Sequence, residues 1–393
     1  MNKIILNPSV FFSTWFLIIF FSSFAMFSYS ITSSLIIVVI LILFSSLLGF
    51  LFSLPIFNKK EKSYEFFMVN SNKYFYLALF FWSYTQLSIL FSLAQYFDLS
   101  NPTMTKDLVT DAFFQNEGLG FKETGKGLST IINTLFYVLG FPSLILGAIN
   151  FSKKKYIGLV PLIMGCLTSL VSFSRFHMFI YLSIFLYSYF LFKKINNENI
   201  KIKKNAIYIL FFLILLFGLP AYLRSEDSDL NIVEYFGVYI FGGFAAFKNW
   251  LDLNFSNLFF FGDLNGTSFY SLKTWISYLG IAKPPSNLHY EFVSLNANDT
   301  TNVYSLFRPL FEDFGILFSS FLIFCFCLFS GLIFRSTFYY KRLEFLPLLV
   351  FLLTFTLFMF YTSIFSDFRV FLGSIYSVFI FKKIFIRNRI LIN

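Results

Sequence analysis

Charge is scarce in this sequence. Asp, Glu, Lys and Arg make up 13% of its 393 residues, where a soluble domain carries roughly a quarter. Hydrophobic residues reach 57% and the mean hydropathy is +0.73, which excludes an ordinary soluble domain and places the chain in a bilayer. Cysteine is also rare: Cys166, Cys325 and Cys327 are the whole supply. All three sit inside apolar runs, and no second pair of ligands lies near the Cys-x-Cys spacing, so they read as small buried hydrophobes rather than as a disulfide or metal framework. Only two histidines occur, His177 and His289. The absence of H-E-x-x-H, Walker A and G-x-S-x-G patterns argues against a zinc protease, an ATPase and an ordinary serine esterase. A net charge of +10 would suit nucleic acid, but no polar domain exists to carry a basic face.

What the sequence has is long apolar runs along its whole length. Phe alone occurs 64 times, which reads as codon bias rather than as a binding code. A helix needs about 20 apolar residues to cross the hydrocarbon core. Ten runs qualify as candidate spans: Val10–Phe27, Ile31–Phe57, Tyr74–Phe97, Leu128–Phe151, Tyr156–Phe173, Phe176–Phe192, Asn205–Leu223, Ile316–Phe334, Phe345–Phe365 and Phe368–Phe385. With the N-terminus cytoplasmic, every inner segment carries its own basic cluster, for example Lys59-Lys60, Lys153 to Lys155, Lys193-Lys194 and Lys382-Lys383. By the positive-inside rule this pattern predicts both termini in the cytoplasm. The expectation is an all-α, polytopic integral membrane protein of about 10 transmembrane helices, with residues 1–393 forming one membrane domain. Two outer segments are long, residues 98–127 and residues 224–315. The second contains Ile232–Phe247, apolar enough to resemble a span but read here as an amphipathic helix at the outer interface.

Polar residues beside spans narrow the search. Arginine in the bilayer centre costs about 2.5–3.5 kcal/mol on insertion scales, so it sits at a rim or faces a cavity. Four arginines run against the inner bias: Arg175 between spans five and six, Arg224 after span seven, Arg308 before span eight and Arg369 at the start of span ten. Each alone would serve to anchor a helix end to headgroups; together they would form an outward-facing anion site, because guanidinium matches phosphate oxygens bidentately. His289, in the large outer loop, is either a solvated loop histidine or a general base. Trp275, Tyr290 and Tyr304 in the same loop offer aromatic faces that suit sugars and also suit interface belts. Asp227-Ser228-Asp229 has a cation-binding spacing but equally reads as a solvated loop, and a metal-independent site is favoured. Near span eight, Arg308 and Glu312 are four residues apart and are expected to pair on one helix face.

Three segments, in order, resemble the O-antigen or oligosaccharide repeat-unit polymerase family of bacterial inner membranes. They are SFSRFHMFIYLSIFLYSYF (Ser172–Phe190), VYIFGGFAAFKNWL (Val238–Leu251) and NVYSLFRPLFEDFGILFSS (Asn302–Ser320). The resemblance implies an enzyme of the periplasmic face that transfers a growing glycan from its undecaprenyl pyrophosphate carrier to a sugar hydroxyl of a new lipid-linked repeat unit. Its partners would be lipid-linked oligosaccharides, the bilayer and a protein that regulates chain length. No cofactor is expected, since the energy lies in the pyrophosphate linkage. On this likeness Arg175, Arg224, Arg308 and Arg369 would bind the donor pyrophosphate, Asp313 would orient a guanidinium or the acceptor hydroxyl, and Tyr304 would stack on a sugar. The alternatives are an O-antigen ligase or another lipid-linked glycosyltransferase, and a flippase. A transporter should show paired halves with broken helices near the midplane, whereas here one long outer loop makes the chain asymmetric.

Overall fold

A computed structural model of the chain describes residues 6–54, 64–94, 127–171, 175–198, 232–262, 293–295, 300–301, 305–359 and 368–389. Its helices are α1 (Pro8–Phe27), α2 (Ser33–Ser53), α3 (Ser71–Ala94), α4 (Gly127–Gly140), α5 (Pro142–Ser152), α6 (Val160–Val171), α7 (Arg175–Ile195), α8 (Ile232–Leu258), α9 (Phe307–Phe338), α10 (Leu346–Phe358) and α11 (Phe368–Ile384). The described residues divide into two compact units, each discontinuous in sequence. One comprises Met1–Lys62, Asn231–Tyr340 and Leu352–Phe368; the other comprises Ser63–Leu230, Lys341–Phe351 and Arg369–Asn393.

In the first unit, α1 begins where Asn7 caps the helix, its side-chain oxygen accepting from the Ser9 amide at 3.1 Å, with Pro8 in the first helical position. α2 packs along α9 through small residues. Ser45, Gly49 and Ser53 recur at intervals of four on α2, and Cys327 and Gly331 do so on α9; all are buried. A methyl group on Gly49 would lie 2.6 Å from the Phe324 carbonyl oxygen and 2.8 Å from Cys327 Cβ. Lipid tails are as apolar as leucine, so association here rests on such close approach and on interhelical hydrogen bonds. Ser9 donates to the Cys327 carbonyl at 2.6 Å, Trp15 Nε1 to the Leu357 carbonyl at 2.9 Å, and Ser13 meets Ser46 at 2.9 Å.

The second unit is built around Trp82 of α3, which is wholly buried and donates to the Pro161 carbonyl at 2.9 Å. Its ring lies 5.3 Å from that of Tyr137 on α4 and 5.2 Å from that of Tyr181 on α7. Glycines let the backbones close in: α4 approaches Trp82 at Gly140, α5 meets the turn after it at Gly147 and Gly158, and α11 meets Phe141 at Gly373. Two strands join this unit, β1 (Tyr64–Met68) and β4 (Phe385–Arg389), paired antiparallel with Phe66 opposite Arg387. A second short pair, β2 (Val293–Ser294) and β3 (Thr300–Thr301), lies in the first unit.

Six helices among the described residues are long and apolar enough to cross a membrane: Pro8–Phe27, Ser33–Ser53, Ser71–Leu93, Ile132–Ser152, Phe176–Ile195 and Phe307–Phe338. By length and composition this supports a helical membrane protein and stops short of the expected ten crossings. The runs at Tyr156–Val171 and Leu343–Phe358 are shorter apolar helices, α11 covers the last candidate span, and Asn205–Leu223 lies outside the described residues. The strictly all-α expectation is amended by the two small ribbons. The Ile232–Phe247 segment also differs from the expected surface helix. α8 is buried continuously from Gly242 to Lys248, because Gly242, Gly243, Ala245 and Ala246 have too little side chain to hold neighbours away.

α9 is two helices joined at Gly315, whose backbone takes φ 72° and ψ 167°. Only glycine adopts this region readily, and another residue there costs about 1–3 kcal/mol. Replacing Gly315 by Ala should therefore lower the thermal stability of the protein in detergent by at least that amount. A methyl group there would also lie 2.9 Å from backbone atoms of Phe261. Gly331→Ala, which meets the side chains of Ser53 and Ser9, should cost less.

Candidate active site

The segment that opens α9 is held at three points. The Ser305 amide donates to the Gly243 carbonyl at 3.2 Å, the Leu306 amide to the Met359 carbonyl at 2.8 Å, and past the break the Leu317 amide donates to the Phe259 carbonyl at 3.2 Å. The Ser319 hydroxyl reaches back across Gly315 to the Leu310 carbonyl at 2.8 Å, satisfying an acceptor near the interrupted ladder. The short helix before Gly315 is thus fixed by backbone bonds at both ends.

Its two faces differ. Phe307 and Phe311 are buried in an aromatic cluster with Phe16 and Phe247, at ring distances of 5.3 Å for Phe16–Phe307 and 5.6 Å for Phe247–Phe311. On the other face Arg308 donates from Nε to Glu312 Oε1 at 2.8 Å, so the pair expected from the spacing is made. The guanidinium also lies 5.5 Å from the Trp250 ring, close enough for a cation–π contact. Arg308 is only 7% exposed and Asp313 1%. Charge buried to this degree must be paired. A guanidinium remains protonated throughout the physiological range, so this element presents a permanent cation in a fixed orientation, which is what recognition of a phosphate oxygen needs.

On α8, two residues to either side of Trp250, stand the partners of a second polar centre. Lys248, 7% exposed, pairs with Asp252 at 3.0 Å, and its ammonium lies 3.3 Å from the Ser30 hydroxyl and 5.9 Å from the Tyr29 ring. Asp252 accepts from Thr32 and Ser34, each at 2.6 Å. Burial opposes ionisation of Asp252, but these hydroxyls and the Lys248 ammonium outweigh it and hold the carboxyl below its ordinary value. A depressed carboxyl stabilises the fold above the ordinary carboxylate range, and that contribution is lost as pH falls through the lowered value. Tyr29 goes the other way: burial pushes its phenol up to about 12, against a smaller opposing effect from Ser23.

The other candidate residues are distributed as follows. Arg308 and Asp313 belong to the first unit; Arg175 and Arg369 belong to the second. Arg175 is the first residue of α7, and the Arg369 guanidinium lies 5.2 Å from the Tyr137 ring. Arg224, His289, Tyr290, Trp275 and Tyr304 lie outside the described residues, as do Asp227 and Asp229. Among the described residues no three of His, Cys, Asp and Glu gather as metal ligands would. Sequence reasoning passed over Trp250, Lys248 and Asp252. Lys248 and Asp252 carry an i,i+4 signal, whereas nothing local marks Trp250 as the platform beneath Arg308.

Removing the carboxylate with Glu312→Ala should leave Arg308 buried without that partner. The expected cost is on the order of 2 kcal/mol, the scale of a hydrogen bond to a charged group, read as a fall in melting temperature in detergent. Trp250→Leu should cost less stability. No family model matches the chain, and no curated protein or solved structure matches it either.

Proposed function

We propose that this chain is a polymerase that joins undecaprenyl-pyrophosphate-linked oligosaccharide repeat units at the periplasmic face of a bacterial inner membrane. In this reading the chain crosses the membrane ten times with both termini cytoplasmic. The observation that carries it is the Arg308 element: a nearly buried guanidinium, set by Glu312 and Trp250, at the head of α9 and beside a glycine break. The sequence around that element is also where the resemblance to repeat-unit polymerases is most specific.

The chemistry asks for such a group. An acceptor sugar hydroxyl attacks the anomeric carbon of the donor glycan, the bond from that carbon to the pyrophosphate oxygen breaks, and the carrier departs as undecaprenyl pyrophosphate. The hydroxyl proton passes to a base, for which His289 is the candidate. Negative charge grows on the leaving oxygen as the bond breaks. Arg308 is the group to stabilise it, while Asp313 orients a guanidinium or the attacking hydroxyl. Tyr304, Tyr290 and Trp275 offer sugar platforms.

Deleting the gene and displaying surface polysaccharide on a gel separates the possible reactions. Loss of a polymerase leaves lipid cores capped with one repeat; loss of a ligase or flippase leaves none capped. In cells making normal amounts of the protein, Arg308→Ala should reproduce the single-repeat phenotype, with turnover down about 10²–10³-fold, the usual loss for one transition-state donor. Arg308→Lys, which keeps the charge without the fork, should restore only short chains. Normal chain lengths in the Ala variant would remove Arg308 from the mechanism.

A further inference from the structure

A polar layer crosses the second unit one helical turn above its aromatic centre. In the centre, Trp82, Tyr137 and Tyr181 pack ring against ring, and α6 contributes Gly165, where a methyl group would lie 2.8 Å from Tyr181 and 3.2 Å from Trp82. α3 and α4 run antiparallel: Trp82 lies beside Gly140 and Tyr84 beside Phe136. Residues three or four apart on a helix share a face. Moving one turn from the aromatic centre toward the C-terminal ends of α3 and α6 gives Gln86 and Ser169. The same step toward the N-terminal ends of α4 and α7 gives Thr134 and His177. All four residues are polar, and they come from four different helices; Thr85 and Thr168, buried next to Gln86 and Ser169 in the sequence, each donate to a carbonyl of their own helix at 3.0 Å.

Gln86 is the telling member. Its relative exposure is 0%, and neither its amide nitrogen nor its amide oxygen has a hydrogen-bond partner among the described residues. A primary amide can donate twice and accept twice, and a native structure rarely leaves such capacity unused in its interior. By helix rise it lies about 12 Å from the Ala94 end of α3, the end that the charge pattern places outside. Arg369 lies over the Tyr137 ring of the aromatic centre at 5.2 Å, and the His177 and Tyr181 rings are 6.2 Å apart.

We propose that this layer is a binding site for a sugar of the lipid-linked substrate, with Gln86 as its specificity-determining hydrogen-bonding group. The proposal rests on the polymerase reading and adds to it a sugar site within the second unit. The Ser169 hydroxyl donates to the Gly165 carbonyl at 2.8 Å, so the unused capacity is that of the Gln86 amide, whose paired donors and acceptor match a sugar hydroxyl, itself both donor and acceptor, better than they match a bare phosphate. The aromatic layer beneath supplies the apolar floor on which the C–H face of a sugar packs.

Gln86→Leu and Gln86→Met, both close in volume, test this in purified full-length protein. The probes are lipid-linked oligosaccharide extracted from cells lacking the gene, and undecaprenyl pyrophosphate without sugar, each read by its shift of the melting temperature. Both variants should melt no lower than the parent when unliganded, since an unsatisfied amide has been removed. Their apparent affinity for the glycan-bearing lipid should fall at least tenfold, while the sugar-free carrier binds parent and variants alike. Unchanged affinity for the glycan-bearing lipid, as expected if the layer holds only water, overturns the proposal and leaves the polymerase reading intact. A lower unliganded melting temperature in both variants also overturns it, by making Gln86 a structural hydrogen-bonding residue. If the parent protein responds to neither lipid, both readings fall together.

Discussion

At Gly315 the backbone leaves the helix and re-enters it, and the chain ahead of that point is held by amide bonds to Gly243 and Met359, the chain just behind it by one to Phe259. The residues at the tail of α8 lie against this break so tightly that a methyl group at Gly262 would collide with the backbone of Asp313 and Phe314. In a solvent that gives apolar side chains no reason to associate, such backbone-to-backbone contacts set geometry. They decide where Arg308, Glu312 and Asp313 stand. A smooth helix through position 315 would rotate that first turn and change which of its faces meets Phe16 and Phe247.

The same principle operates throughout both units. Positions of closest approach carry glycine, serine or alanine, while the abundant phenylalanines fill the spaces left. Polar side chains inside the helices mostly answer their own backbone, as Thr337 and Ser377 do by donating to carbonyls one turn earlier. Against that background the cases that reach across helices carry meaning: Ser9 to the Cys327 carbonyl, Trp15 to Leu357, Ser23 to Phe241 at 3.0 Å. They fix the rotation of α1 relative to its neighbours, which packing of similar aromatic rings alone would leave loosely defined.

Much of this was legible in the sequence where the signal is local. Apolar runs mark the helices because twenty residues of lipid-facing chain leave a mark no loop can imitate. The Arg308–Glu312 pair follows from spacing alone. What escaped depends on distant segments. Trp250 sits under Arg308 because α8 packs against α9, and the run of small residues that permits this reads locally as an amphipathic surface helix. The β1 strand, Tyr64–Met68, is hidden among lysines, and its partner lies at the far end of the second unit's sequence. Gln86 looks unremarkable until Thr134, Ser169 and His177 are seen to occupy the same level.

The pairing of β1 with β4 imposes an order on biosynthesis. β1 leaves the ribosome early, yet its complement follows only after every helix described here has been made, so its edge must wait with its amides solvated. The Val69 amide, which donates to the Ile384 carbonyl at 2.9 Å, closes at the same late moment. The second unit therefore closes only once α11 and β4 have been made.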